Sequence, residues 1–409
     1  MGAQTDYDIL IIGGGMVGAS LACALGGQPL RIGLIEAVPF GGNVSQPGYD
    51  DRAIALAWGT RRIFEGMGLW PAVAQAVTAI EKIHISDRGH FGITRIDARE
   101  EKTEALGYVV TSRALGHILM QALGALTNVD LICPAMLSDI AIGADHAEVT
   151  IEQGGEKHVL TARLVVAADG GKSAARERLG ITATTWDYRQ TAVIANVTPQ
   201  YPHCNVAYER FTATGPLALL PMSDNRCAVV WTVASDQAAA VMNLTDAAFL
   251  DGLQHAFSHR LGTLRRTGKR HAYPLVLTRV REHVRPRVAV IGNAAHTLHP
   301  IAGQGFNLGL RDVAALAQVI VEAHASGQDI GGLDVLNGYA RWRRHDQTRA
   351  IAFTDSLVRI FINPLAPFAL GRNLGLIAVD LLPSLKRLLA RQTMGLAGKL
   401  PRLARGLGL

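Results

Sequence analysis

A nearly unbroken apolar run, Asp8-Ile-Leu-Ile-Ile12, passes directly into Gly13-Gly-Gly15-Met-Val-Gly18 and then into the small and apolar residues Ala19 to Leu25. Few chain geometries accept that order. An apolar run without polar alternation suits a strand buried on both faces of a parallel sheet. Gly13 permits a tight turn, Gly15 lets backbone approach a pyrophosphate, and Gly18 lets helix and strand pack closely. The phosphate charge then falls at a helix N-terminus, where free N–H groups point outward. A second strand, Leu30 to Glu36, ends in an acid 18 residues past Gly18. A carboxylate there accepts hydrogen bonds from a ribose diol and disfavours a 2′-phosphate. The pocket suits FAD or NAD, and these residues alone leave both open.

Composition narrows the class. A chain of 409 residues is long for one compact domain, so two closely packed domains are expected. Hydrophobic residues make up 49% and charged residues 18%, enough apolar material for large cores. The net charge of +6 is scattered and aromatics are only 6%, which argues against a nucleic-acid partner. Cys23, Cys133, Cys204 and Cys227 lie far apart without C-x-x-C spacing, so neither a metal site nor a redox pair is expected. Free cysteines suit a reducing compartment. Met1 to Asp8 lacks a signal-peptide layout, and no uncharged apolar run reaches membrane-spanning length. A cytoplasmic protein is expected.

Two later segments separate FAD from NAD. In Ala162-Arg-Leu-Val-Val-Ala-Ala-Asp169-Gly170-Gly-Lys-Ser173-Ala-Ala-Arg176, an apolar strand ends in Asp-Gly before a helix start. In Val288 to Asp312, a buried strand leads through Gly292-Asn293 and His296-Thr-Leu-His299-Pro300 into a helix opened by Gly303-Gln304-Gly305-Phe306-Asn307. A helix N-terminus in that position can point N–H groups at the pyrimidine edge of an isoalloxazine and favour the anionic reduced flavin. Gly303 and Gly305 keep side chains out of the way. FAD is the expected cofactor.

These motifs, in this order over nearly the whole chain, resemble the class A flavoprotein aromatic hydroxylases, and within them the ubiquinone-biosynthesis hydroxylases. The run Thr297 to Gly309 is most similar to the subfamily acting on 2-polyprenyl-6-methoxyphenols. Asn293 stands where most of the superfamily has an Asp that holds the flavin ribityl chain, and that subfamily shares the Asn. His296 departs from the subfamily's Gln. The resemblance implies FAD contacts from Gly13, Gly15, Gly18, Glu36, Asn293, Pro300, Gly303, Gln304, Gly305, Phe306 and Asn307. It further implies that Arg52, in Asp51-Arg52-Ala-Ile-Ala-Leu56, contacts the flavin and helps receive the nicotinamide. Arg113 reaches the FAD phosphates in the same pattern, and Asp169 with Gly170 supports both FAD and a transient NAD(P)H. Only one dinucleotide fingerprint is present, which suits a visiting reductant.

The implied fold is α/β and p-hydroxybenzoate hydroxylase-like. A Rossmann-like FAD-binding domain (1–76, 98–186, 281–332) interleaves with an antiparallel substrate sheet (77–97, 187–280), and 333–409 is helical. Candidate substrate contacts on the sheet are Tyr208, Phe211, Leu219 and Pro221. The implied activity is ring hydroxylation of a polyprenylphenol by O2, with NAD(P)H as co-substrate, through a flavin C4a-hydroperoxide. A base near the phenol would help, and His299 beside Pro300 is the candidate, with a structural role at least as open. The tail carries Pro364, Pro367 and Pro383, then Lys386, Arg387, Arg391, Lys399, Arg402 and Arg405 among Leu and Met. Such a tail can lie on an anionic membrane surface, here the inner face of the cytoplasmic membrane, beside other quinone-biosynthesis proteins; an ordinary packed helix is the alternative. Another ubiquinone-ring hydroxylase of the same family, a prenyl reductase on the same fold, or an FAD-bearing scaffold of a quinone-synthesis complex also remains open.

Overall fold

A computed structural model describes residues 5–39, 52–363 and 365–409; Asp51, Pro364 and residues 1–4 lie outside those described. The opening apolar run forms the strand Tyr7–Ile12, paired in parallel with Ile32–Ile35 on one side and Glu156–Ala167 on the other. Val129–Ile132 and Val288–Val290 continue the parallel sheet at its two flanks. Ile9 and Ile11 enter one core layer and Leu10 and Ile12 the opposite one. Two-sided burial explains the missing polar alternation.

The layer on the first side is built by helix Met16–Ala24 and the 22-residue helix Gln304–Ala325. Their approach depends on glycine. A Cβ on Gly18 would lie 1.9 Å from the Gly13 carbonyl oxygen, and one on Gly309 3.0 Å from Val17 Cγ2. No larger residue fits at Gly18 without separating strand from helix.

The second sheet has nine strands. Along its path they run His296–Thr297, His271–Val280, Ala183–Pro199, Arg226–Ala234, Gly215–Met222, Val206–Thr212, Lys82–Asp87 and Ile93–Asp97, with Leu264–Thr267 beside Ala183–Pro199. Pairing is antiparallel except between Val206–Thr212 and Lys82–Asp87, which run parallel. The 77–97 region divides. Lys82–Asp87 and Ile93–Asp97 join this sheet, whereas Thr78–Ile80 pairs with Gly107–Thr111 in a three-stranded sheet that also holds Ala53–Ala57. Helix Asp246–Phe257 covers one face of the large sheet with Phe249, Leu253 and Phe257.

Three helices follow, Leu333–Ile362, Ala366–Leu381 and Pro383–Thr393, but 333–409 is not helical throughout: past Thr393 the chain is mostly irregular and packs the short turn Leu403–Arg405 against helix Trp58–Gly66. Pro367 and Pro383 fall in first turns, where a missing N–H costs nothing. Helix Ala366–Leu381 is pinned to the sheet edge by polar contacts. Arg372 Nε donates to Asp87 Oδ2 at 2.7 Å, and Asn373 Nδ2 donates to the same oxygen at 3.0 Å. The Gly92 N–H donates to Asn373 Oδ1 at 2.7 Å, and Thr94 Oγ1 donates to the Leu376 carbonyl at 2.7 Å. Buried charge-assisted bonds of this kind fix position more than they add stability.

Candidate active site

The glycine turn has the form a dinucleotide needs. Gly13 has φ +102°, and a Cβ there would lie 2.6 Å from Asp169 Cα, so the first glycine abuts the Asp-Gly motif. A Cβ on Gly15 would meet nothing within 4 Å. Among the described residues no side chain caps the N-terminus of helix Met16–Ala24, and its first turn holds no acid. Its outward N–H groups and dipole are therefore left to an anion. Glu36 Oε2 accepts from the Gly14 N–H at 2.7 Å and Oε1 from the Val38 N–H at 2.9 Å, which holds the acid at the mouth of the turn.

Asp169 caps the helix Ala174–Arg178, accepting from Ser173 Oγ and, at 2.9 Å, from the Ala175 N–H. Gly170 has φ +86°, the left-handed turn that lets the chain leave the strand for that cap. Arg113 is exposed in the first turn of Ser112–Gly124, a helix packed against Met16–Ala24.

A cavity of about 1020 Å³ lies between the second glycine loop, the large sheet and the C-terminal helices. Arg52, Asn293, Pro300, Gly303, Gly305, Phe306 and Asn307 line one side. Asn293 sits on a single helical turn, Gly292–Ala294, with its side chain accessible from the cavity. Gly303 adopts φ +60°, and a Cβ there would stand 2.8 Å from Ala55 Cβ, whereas a Cβ on Gly305 would meet nothing within 4 Å. Arg52 lies over the Tyr273 ring, 4.8 Å from its centroid. Asn307 uses its whole amide: Oδ1 accepts from the Ala57 N–H and Thr60 Oγ1 at 2.8 and 2.7 Å, and Nδ2 donates to the Ala55 and Gly303 carbonyls at 2.8 and 2.6 Å. It clamps the loop to the neighbouring strand and helix. Gln304 is buried, and its Nε2 donates to the Thr393 carbonyl at 3.1 Å.

Behind the loop lies a buried polar cluster that the sequence reading did not identify. Asp312 accepts from Arg343 Nε at 2.7 Å, from Gln347 Nε2 at 2.9 Å and from the Gly292 N–H at 3.2 Å, with His296 Nε2 at 2.6 Å. Burial alone would raise this carboxyl, but Arg343 and then His296 pull it well below the usual carboxylate range. Asp346 then bridges Arg343 and Arg311, the latter at 2.7 Å. His296 is thus a partner of Asp312. The cluster ties the Asn293 turn to both long helices.

The sheet wall corrects several side-chain assignments through strand alternation. Phe211 faces the cavity and stacks on Phe361, with centroids 3.6 Å apart. Tyr208 cannot share that face. Its residue borders the cavity, yet its ring packs edge-on against Phe257, 5.3 Å away on the opposite face. Leu219 is fully buried under helix Asp246–Phe257, and Pro221 shares its side of the strand; Ala218 and Leu220 form the wall instead. His299 also lies off the wall. Its ring is buried edge-on to Tyr188, neither nitrogen has a hydrogen-bond partner among the described residues, and burial lowers its pKa to about 4.

The sequence reading missed Glu209 and the C-terminal wall. Glu209 lines the cavity from the centre of Val206–Thr212. Placing Ala207 and Phe211 on one face would have found it, because Glu209 stands between them at period two. Phe353, Leu357, Phe361, Phe368, Leu376 and Leu389 supply the helical wall. Nothing local in the tail signals that contact.

These residues fit FAD, with an open pyrophosphate turn, the acid at its mouth, and a side-chain-free approach at Gly305 beside Asn293. A family model described as an FAD binding domain matches residues 6–354. The chain is 38% identical to ubiquinone hydroxylase UbiL of Rhodospirillum rubrum, over 100% of this chain and 94% of that one. It is 34% identical to 3-demethoxyubiquinol 3-hydroxylase of Escherichia coli, over 95% of this chain and 98% of that one. In fold it is similar to p-nitrophenol 4-monooxygenase PnpA from Pseudomonas putida, at a TM-score of 0.80 and 18% identity, covering 96% and 98% of the two chains.

Proposed function

The chain belongs to the FAD-dependent ubiquinone-biosynthesis hydroxylases, and from that premise we propose that it hydroxylates the ring of a 2-polyprenyl-6-methoxyphenol, using O2 and NAD(P)H. The observation that carries this reading is the shape of the cavity. It runs from the glycine loop, across an apolar sheet face, to helices that carry apolar residues on both sides. Bound FAD supplies the reduced flavin that activates oxygen. The chain's own residues do the rest. Gly305 allows close approach to the ring, the stacked pair Phe211 and Phe361 puts aromatic carbon in the wall that an aromatic substrate meets, and Leu220, Ala218 and Leu376 keep water out.

A peripheral position on the inner face of the cytoplasmic membrane follows in the same reading. Phe368 and Ile360 line the cavity and are also exposed, at 47% and 40%, so they form an apolar mouth. The last two helices and the residue before them also expose Leu365, Leu374, Leu381 and Leu388, with Arg387 and Arg391 exposed on Pro383–Thr393. An amphipathic basic surface of this type suits an anionic bilayer, and a prenyl chain would pass from lipid to cavity without crossing water. Among the described residues no single helix is long and apolar enough to span a membrane. Ala366–Leu381 and Pro383–Thr393 reach the length only as a pair bent by 98°.

The test is direct. Purified holoprotein is incubated with NADH or NADPH, labelled O2 and a short-chain 2-prenyl-6-methoxyphenol, and the product is weighed by mass spectrometry. One labelled oxygen in the ring supports the reading. Reduction of the prenyl chain without oxygen incorporation supports a prenyl reductase instead, and flavin that neither nucleotide reduces supports a scaffold.

A further inference from the structure

Glu209 is an acid set in an apolar wall. On its strand, Ile85 stands opposite on one side and Ala218 on the other. Its cavity-side neighbours along the strand are Ala207 and Phe211. No hydrogen bond or ion pair reaches its carboxyl among the described residues. The remaining ionisable side chains bordering the cavity are engaged elsewhere. Arg52 lies over Tyr273, Arg372 is paired with Asp87, and the Tyr208 ring is on the far face. On the flanking strand, His84 packs near Tyr208, and on helix Leu333–Ile362, Asp355 and Arg359 turn to Tyr188 and Trp186.

Position gives this acid an address. Phe211 packs with Ile301 of the flavin-side loop and with Phe361 in one cluster. Glu209 is two residues back on the same strand face, roughly 6.6 Å along the strand. A phenol lying on the Phe211–Phe361 surface would therefore bring its polar substituents within reach of one protein acid. We infer that Glu209 accepts the proton of the substrate's phenolic hydroxyl as the ring is hydroxylated, an inference that rests on the phenol reading above.

The proton step balances without a further reactant. The phenolic O–H bond breaks and a carboxyl O–H bond forms on Glu209. The electron pair left on oxygen raises the electron density of the ring carbon that attacks, and the proton passes to solvent when product leaves. Burial raises the Glu209 carboxyl to about 7, which matches it to proton abstraction near neutrality better than an ordinary carboxylate.

The experiment uses the holoprotein and the short-chain 2-prenyl-6-methoxyphenol. Glu209→Gln is expected to keep its FAD and its KM and to lose about 100-fold in kcat. Oxygen uptake in the variant is diverted to hydrogen peroxide. Wild-type kcat rises with pH through about 7, and this acid limb disappears in the variant. A second readout needs no turnover. A carboxyl raised in the folded state loses native stability as pH climbs through its folded value. The Tm of Glu209→Gln is therefore expected to match wild type at pH 5 and to exceed it at pH 8. A variant with wild-type kcat and pH profile overturns the inference, as does one that loses FAD or shows a Tm difference independent of pH. If wild type itself fails to oxygenate the phenol, the substrate reading fails, and the Tm comparison still decides whether Glu209 is the isolated acid described.

Discussion

Arg343 donates its Nε–H to Asp312 Oδ1 at 2.7 Å, and both side chains are out of solvent. The two residues sit 31 positions apart on different helices. Asp312 also holds the Gly292 N–H and His296, so a single carboxylate fixes the turn that presents Asn293 to the cavity. It acts as a positioning residue because it touches the loop and not the cavity.

Asp312→Asn leaves Arg343 buried without its main counter-charge, which costs about 3–5 kcal/mol. We expect a Tm lower than wild type by many degrees and partial loss of FAD, read by flavin fluorescence. The carboxyl is depressed in the folded state, so its contribution is present above the unfolded carboxylate value and lost as pH falls below it. The gap in Tm between wild type and variant should narrow in acid, below about pH 4.

Gly18→Ala and Gly15→Ala should behave differently although both alter the same fingerprint. At Gly18 the new Cβ meets the Gly13 carbonyl at 1.9 Å, so strand and helix separate and soluble folded protein is lost. At Gly15 the Cβ meets no protein atom within 4 Å, so the apoprotein should keep its Tm. The methyl group would instead oppose the pyrophosphate. An increase in FAD Kd of at least tenfold by fluorescence titration, with apoprotein Tm unchanged, is the expected result.

His299→Phe should stabilise the protein. The ring is buried edge-on to Tyr188 with neither nitrogen partnered among the described residues, and an apolar ring avoids that cost of about 1–3 kcal/mol. His299, His283 and His84 are each lowered to about 4 by burial. Each contributes stability that is full above the unfolded value of about 6.5 and is lost as pH falls towards 4. Plots of Tm against pH should therefore fall over that window in wild type and fall less steeply in His299→Phe. The activity profile near pH 7 should not move.

Leu381→Gln with Leu388→Gln should weaken binding to phosphatidylglycerol vesicles in a flotation assay. These side chains are 71% and 68% exposed, so FAD content and Tm should match wild type. Wild type binding neutral and anionic vesicles equally would argue against a role for Arg387 and Arg391.

The sequence by itself determined the nucleotide half of this protein. Turn, close approach and helix start are local demands, and at Gly13, Gly18 and Gly303 only glycine meets them, so the motif and its geometry are there nearly the same information. The acid at Glu36 is legible for the same reason, because it ends a strand whose neighbour carries the turn. The substrate half depends on which residues meet across the chain. Tyr208 and Phe211 look equivalent as sequence, yet strand alternation sends one ring under helix Asp246–Phe257 and the other to Phe361. His299 looks like a base until burial against Tyr188 is seen. Glu209 gains its character only because tertiary packing leaves its carboxyl without a partner among the described residues and brings the tail helices over the sheet. Local backbone chemistry shaped the glycine turns; long-range burial decided what lines the cavity.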